Sequence, residues 1–196
     1  SCDALWMGVP LVSLAGRTAV GRGGASLLSN VGQRDLIASG QDADEMFFLN
    51  KKFFEPLLSL IIERGLKFRM WSYSRIDTVQ PHYLDLFRRA GIGWLALGVE
   101  AANQMIRHEV SKGSFKDVNI RQVAQTIRDH GLNIISNYIF GFPDDTRETM
   151  QQTLDLALEL NTEMANMYPC QALPGSTLYY TARTNGWALR RFQEGR

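Results

Sequence analysis

Apolar positions along this chain keep two rhythms. Short apolar or aromatic runs, the signature of buried strands, alternate with stretches where apolar residues return every three or four positions, the signature of helices. From residue 46 the alternation is regular. A short strand at 46–49 precedes a helix with Phe54, Leu57, Leu58, Ile61 and Ile62 on one face. A strand follows at 68–73, then a helix at 81–90 with Leu84, Phe87 and Ala90 inward, then a strand at 94–99. A two-part helical stretch comes next, its second piece carrying Ile120, Val123, Ala124 and Ile127. A strand runs into Asn137–Phe140, Gly141 and Pro143 stop it, and a helix is expected over 146–160. Asp145 reads as its N-cap with Glu148 as box partner. A last strand is expected at 164–168.

Three helix exits share one form, Gly-(Leu/Ile)-x-apolar, at Gly65, Gly91 and Gly131. Glycine in the C′ position followed at once by a strand marks repeated βα units. Strand-helix alternation with connections of this length means parallel strands and right-handed crossovers. The pattern therefore predicts a parallel α/β barrel or part of one, with functional groups at the C-terminal ends of the strands.

The N-terminal stretch is less regular. Residues 9–15 suit a strand and 24–38 a helix, separated by the glycine-rich run Gly16–Gly24. That run has the spacing of a phosphate loop, but Arg22 stands where a lysine is needed and Gly23 where a hydroxyl is needed. A flexible glycine turn is the reading. Residues 39–45 are polar and mark a junction.

Composition narrows the field. With 196 residues, 45% of them hydrophobic, the chain can bury one sizeable core. A net charge of +1 with both signs scattered offers no stripe for nucleic acid and no polybasic membrane patch. No apolar run reaches transmembrane length and no charged-then-apolar leader opens the chain, so a soluble cytoplasmic protein is expected. The only cysteines, Cys2 and Cys170, lack metal-ligand spacing and read as small buried hydrophobes. The chain opens at Ser1 and enters mid-motif, which reads as a fragment.

Residues at the expected strand ends are the candidates for chemistry: Asn50, Tyr73 to Asp77, Gly98-Val99-Glu100, Asn137 with Gly141, and Tyr168-Pro169. Glu100 is the most informative. A carboxylate at the mouth of an apolar strand can accept from ribose hydroxyls or an ammonium; a surface salt bridge to Lys112 or Arg107 is the alternative. Arg75 and Asp77 could equally form an ion pair bracing a loop. Ser72 and Ser74 have no histidine partner nearby in sequence, which disfavours nucleophilic catalysis.

From Asp44 to about Trp187 the chain resembles the radical S-adenosylmethionine (SAM) enzymes, especially those with an upstream cobalamin-binding domain. The matching pieces are Asp44 to Asn50, Lys67 to Trp71 with Arg75-Ile76-Asp77, and Gly98-Val99-Glu100. They continue with Val110 to Gly113, Tyr138 to Thr146, and Tyr168-Pro169 through Pro174-Gly175-Ser176. The resemblance implies a six-stranded partial (β/α) barrel that cleaves SAM with a [4Fe–4S] cluster, giving methionine and a 5′-deoxyadenosyl radical, or that performs radical methylation. It further implies cobalamin in a full-length parent, and a small-molecule substrate with no nucleic acid or membrane partner. By position, Tyr73 and Arg75 would lie near the methionine end of SAM. Glu100 and Lys112 would meet its ribose and carboxylate, Asn137 and Ile139 its ribose and adenine, and Tyr168 the adenine side. One departure stands out: the family holds its cluster with Cys-x3-Cys-x2-Cys, which this sequence lacks, so no metal ligand is assigned and the chain alone is expected not to be competent.

Residues 1–40 instead resemble the C-terminal lobe of O-linked N-acetylglucosamine transferases, through Cys2 to Pro10 and Arg22 to Leu28. This likeness implies that Asp3 would touch the nucleotide of a UDP-sugar. The expected division is thus a glycosyltransferase-like βα fragment at 1–40 and a radical SAM core at 41–196. Strand 9–15 and helix 24–38 would stand in for the core's first βα unit. Glycosyl transfer and a non-catalytic nucleoside-binding module are the alternative functions.

Overall fold

The computed structural model describes residues 13–14, 17–18, 38–41, 48, 51–110 and 117–187. Its strands are β1 (Ser13–Leu14), β2 (Arg17–Thr18), β3 (Ala38–Gln41), β4 (Phe68–Arg75), β5 (Ile92–Glu100), β6 (Asn133–Phe140) and β7 (Met164–Pro169). Its helices are α1 (Lys51–Glu63), α2 (Pro81–Ala90), α3 (Gln104–Val110), α4 (Ile120–Asp129), α5 (Arg147–Leu160) and α6 (Thr177–Thr184). Strands β3 to β7 form one five-stranded sheet in sequence order, every neighbouring pair parallel. This is the parallel α/β architecture the periodicity predicts.

The predicted apolar stripes are the buried ones. Phe54, Leu58 and Ile61 of α1, Leu84, Phe87 and Ala90 of α2, and Ile120, Ala124 and Ile127 of α4 pack with Leu95, Leu97 and Val99 of β5 and Ile134 and Tyr138 of β6. Burying a Leu, Ile or Phe side chain contributes about 1.5–3 kcal/mol, so this layer between helices and sheet carries most of the stability. The three exit glycines all adopt positive φ: Gly65 at 62°, Gly91 at 99° and Gly131 at 73°. Gly91 is constrained twice over, because a Cβ there would lie 2.2 Å from the Phe68 carbonyl oxygen.

Several expectations on the N-terminal side need correction. Ser13 and Leu14 pair antiparallel with Thr18 and Arg17 in a separate two-stranded sheet, so residues 13–14 do not supply a first strand to the parallel sheet. The edge strand beside β4 is β3, which lies in the stretch read as a helix end and polar junction. Ala-Ser-Gly-Gln carries no apolar alternation, and its place comes from backbone pairing with β4, where tertiary context overrides propensity. Phe48 sits in a 3-10 turn rather than a strand, while the rest of the expected strand 46–49 and residues 24–37 of the expected helix fall outside the described residues.

The start of α5 also differs. Thr146, not Asp145, is the N-cap, and it forms a reciprocal box with Thr149. Asp145 turns back instead: Gly141 N–H and Phe142 N–H donate to its Oδ2 at 2.8 and 3.0 Å, and the Thr149 hydroxyl donates to Oδ1 at 2.7 Å. No helix among the described residues is long and apolar enough to cross a membrane.

Candidate functional site

Parallel register and strand alternation settle which candidates share a face. Side chains of paired residues in neighbouring strands project to the same side, and alternate residues to opposite sides. Phe68 and Met70 of β4 join Leu95, Leu97 and Val99 of β5 on the helix-covered side. The other side is therefore left to Trp71, Tyr73 and Arg75 of β4 and to Trp94, Ala96 and Gly98 of β5. Pairing continues across the sheet as Tyr73 with Ala96 with Ile135, and as Arg75 with Gly98 with Asn137 with Asn166. Beyond these, Ile139 pairs with Tyr168. Tyr73, Arg75, Asn137, Ile139 and Tyr168, chosen from sequence, thus share the sheet face opposite α1, α2 and α4, toward the strand C-termini.

Glu100 joins them by an unusual route. The register shifts between Gly98 and Glu100, and Glu100 takes φ 67°, one of two positive-φ non-glycine residues among those described. The Ala101 N–H donates to the Val99 carbonyl at 3.0 Å, so Glu100 is the centre of a positive-φ γ-turn, a rare and strained form. The kink folds the side chain back over Gly98, where a Cβ would lie 2.6 Å from Glu100 Oε1. Gly98 is the gap that the carboxylate fills. Glu100 Oε2 is shielded from solvent and has no hydrogen-bond partner among the described residues. Burial pushes the Glu100 carboxyl up to about 7, while the Arg75 guanidinium pulls the other way.

Arg75 is largely committed elsewhere. Its Nε and Nη2 donate to the two carboxylate oxygens of Asp77 at 2.9 and 2.7 Å, the bracing ion pair weighed from sequence, with Asp77 buried. This bidentate geometry fixes the guanidinium beside the Glu100 turn. Asn137 is buried and its amide is held in both directions. Its Nδ2 donates to the Leu97 carbonyl at 3.2 Å, and its Oδ1 accepts from Asn166 at 3.0 Å. Ile139 is buried against Ala101, Ile106 and Phe142, while Tyr168 on the last strand is exposed. Trp71 and Tyr73 meet edge to face, with centroids 5.1 Å apart, deeper on the same face. The face thus combines a buried carboxylate, a fixed guanidinium, amide groups and an apolar end.

The salt-bridge alternative for Glu100 does not hold with Arg107, which donates to backbone carbonyls instead. Lys112 and Asp3 lie outside the described residues. Sequence reasoning overlooked Asn166 and Thr153. Thr153 stands with Leu156, Ala157 and Leu160 on the buried stripe of α5, and a polar residue at a core position of a helix was the available signal.

The sequence profile of the Radical SAM superfamily matches residues 43–157, more than half of the chain. The chain belongs to the radical SAM superfamily. It is 30% identical over 139 residues to the anaerobic magnesium-protoporphyrin IX monomethyl ester cyclase of Rubrivivax gelatinosus, covering 70% of this chain and 25% of that protein. It is 29% identical over 146 residues to an uncharacterized methyltransferase of Pyrococcus horikoshii, covering 74% of this chain and 32% of that one. The chain spans about a third or less of the length of these relatives. The radical SAM methyltransferase TsrM from Kitasatospora setae, solved with cobalamin and a [4Fe–4S] cluster bound, superposes with a TM-score of 0.60. That match covers 67% of this chain and 27% of TsrM at 19% identity, and shows the fold, that of radical SAM partial barrels.

The superfamily uses SAM and a [4Fe–4S] cluster. These two groups fit the residues unequally. An unpartnered, shielded carboxylate oxygen beside a fixed guanidinium and an apolar surface suits a ligand that carries an ammonium or hydroxyls, a carboxylate and an adenine. SAM fits. The cluster does not: three thiolates are needed, the sequence has two cysteines, and no group of His, Cys, Asp and Glu among the described residues could hold a metal.

Proposed function

We propose that this chain is the SAM-holding part of a radical SAM enzyme of the methyltransferase or cyclase kind, with SAM seated at the C-terminal ends of β4 to β7, on the sheet face opposite α1, α2 and α4. The observation that carries this reading is Glu100, a carboxylate held in a strained turn with one shielded oxygen lacking a partner. A group kept so is ready for a ligand donor, because an unmet buried acceptor is costly until something donates to it. In this arrangement Glu100 accepts from the ribose hydroxyls or ammonium of SAM, and Arg75 with Tyr73 lies toward its methionine end. Lys112 meets the SAM carboxylate, Asn137 the ribose, and Ile139 with Tyr168 covers the adenine. SAM, once bound, supplies the methyl group or the 5′-deoxyadenosyl fragment of the family's chemistry. Without the cysteine loop, the chain by itself binds SAM without cleaving it. Cobalamin and the substrate belong to the longer protein of which the relatives' lengths speak.

The radical SAM core is taken to include β3, which pairs with β4 and spans the expected division between residues 40 and 41. The relatives and structure described above include no glycosyltransferase, and Asp3 gains no support as a nucleotide contact. Isothermal titration with SAM tests the proposal. Since ionised Glu100 accepts through both oxygens and attracts an ammonium, while its protonated form gives one oxygen over to an O–H donor, binding should tighten severalfold between pH 6 and pH 7.5 as a group with a pKa of about 7 gives up its proton. Glu100→Gln should bind weakly and lose that pH dependence. Equal binding by wild type and Glu100→Gln would remove the proposal's support.

A further inference from the structure

We infer that Arg107 and Thr153 are positioning residues that clamp the Glu100 turn in its ligand-accepting shape. The inference rests on the SAM reading for its purpose but not for its geometry. Glu100 has a Cβ and yet occupies the left-handed region, and the residues after it are Ala101 and Ala102, neither of which favours such a turn. Strain of this sort persists only where the surroundings over-determine it. Two buried side chains from other elements supply that constraint.

Arg107 projects from α3 back to the turn and is 7% exposed. Its Nη1 donates to the Ala101 carbonyl at 2.7 Å and to the Ala102 carbonyl at 2.5 Å. Thr153, 1% exposed on α5, accepts from the Ala102 N–H at 3.0 Å and donates its own hydroxyl to the Thr149 carbonyl at 3.1 Å. Asn103 completes the frame by capping α3, its Oδ1 accepting from Met105 and Ile106 N–H groups. One cation and one hydroxyl thereby fix both carbonyls and an amide just past Glu100. Burying a guanidinium costs more than burying an apolar side chain of similar size unless the charge is held by specific partners. Here the two carbonyl oxygens of the turn hold it, with the charge of Asp117 nearby.

Release of the clamp should let the carboxylate swing off Gly98 into water. The charged group facing Glu100 from β4 is Arg75, tied to Asp77, while β6 presents the amide of Asn137. The test uses the full chain with ¹³C-labelled glutamate, the Glu100 carboxyl resonance being identified by its loss in Glu100→Gln. In Thr153→Val, which keeps the shape and removes the hydroxyl, the Glu100 titration midpoint should fall from about 7 toward the ordinary carboxylate range. SAM affinity should weaken about tenfold, the equivalent of one strained residue relaxing. Thr153→Ser should restore both readings. Arg107→Lys should give an intermediate result, with circular dichroism confirming that each variant is folded.

An unchanged midpoint and unchanged SAM affinity in folded Thr153→Val and Arg107→Lys would overturn the clamp. A midpoint that moves in a chain whose SAM affinity never depended on Glu100 would uphold the clamp and sink the SAM reading instead.

Discussion

At the scale of the residue, Glu100 sets both a cost and a use. Its folded-state pKa, raised from 4.5 to about 7 by burial, means that the folded chain binds this proton more tightly than the unfolded one. Stability contributed by this group is therefore full at low pH, declines as pH rises from about 4.5, and levels off above about 7. The total loss is on the order of 3 kcal/mol. Glu148, Glu159 and Glu163 have lowered values and act with the opposite sign, but their contribution is lost only as pH falls below the ordinary carboxylate range. The interval between pH 5 and pH 8 thus isolates Glu100 among these acids. Urea unfolding of the ligand-free chain should show stability falling across that interval, and Glu100→Gln should remove most of the fall. A wild type and variant with parallel pH profiles would mean that the carboxyl is not buried as described.

At the scale of the element, the connection from β6 to α5 depends on a residue whose role differs from its apparent one. Asp145 braces the Gly141-Phe142 turn, and so seats Phe142 beside Ile139 at the end of the site. Asp145→Ala should cost about 2 kcal/mol and lower the melting temperature by about 4–8 °C in a domain of this size. Glu148→Ala, at an exposed position, should lower it much less. A larger drop for Glu148 would restore the capping role that sequence spacing suggested. The misreading has a physical source: Asp145 and Thr146 are both good caps, and which one closes the helix depends on where the preceding turn needs an acceptor. The helices and β4 to β6 were legible because apolar stripes and C′ glycines are local signals. The edge strand β3 was not, since Ala-Ser-Gly-Gln gains its place through backbone pairing alone. The same division runs through the site. Glu100 was visible because it ends an apolar strand two residues after a glycine. Thr153 holds the next turn from 51 residues away, and its one local trace is a hydroxyl on the apolar stripe of α5, which does not say what it bonds.

At the scale of the whole molecule, the proposed function separates two tasks, holding SAM and cleaving it. The sheet gathers groups suited to a nucleoside cation on one face, yet the sequence lacks the three thiolates a cluster needs. Cys170 lies past β7, half-buried beside the Ile139 cluster, and Cys2 lies outside the described residues. Anaerobic reconstitution with iron and sulfide should therefore leave the purified chain with far fewer than the roughly four irons of a [4Fe–4S] centre. Absorbance in the cluster's charge-transfer band should stay at the background set by Cys170→Ser. Thermal melts of that iron-free chain should still rise with added SAM, since any ligand that binds only the folded state stabilises it by mass action. A chelator-resistant cluster on this chain would mean that its two cysteines recruit other ligands, and the separation of binding from cleavage would fail. Iron-free protein that SAM protects would instead show that the strand ends assemble the nucleoside site without the metal loop, which is what a site built from strand register and one strained turn requires.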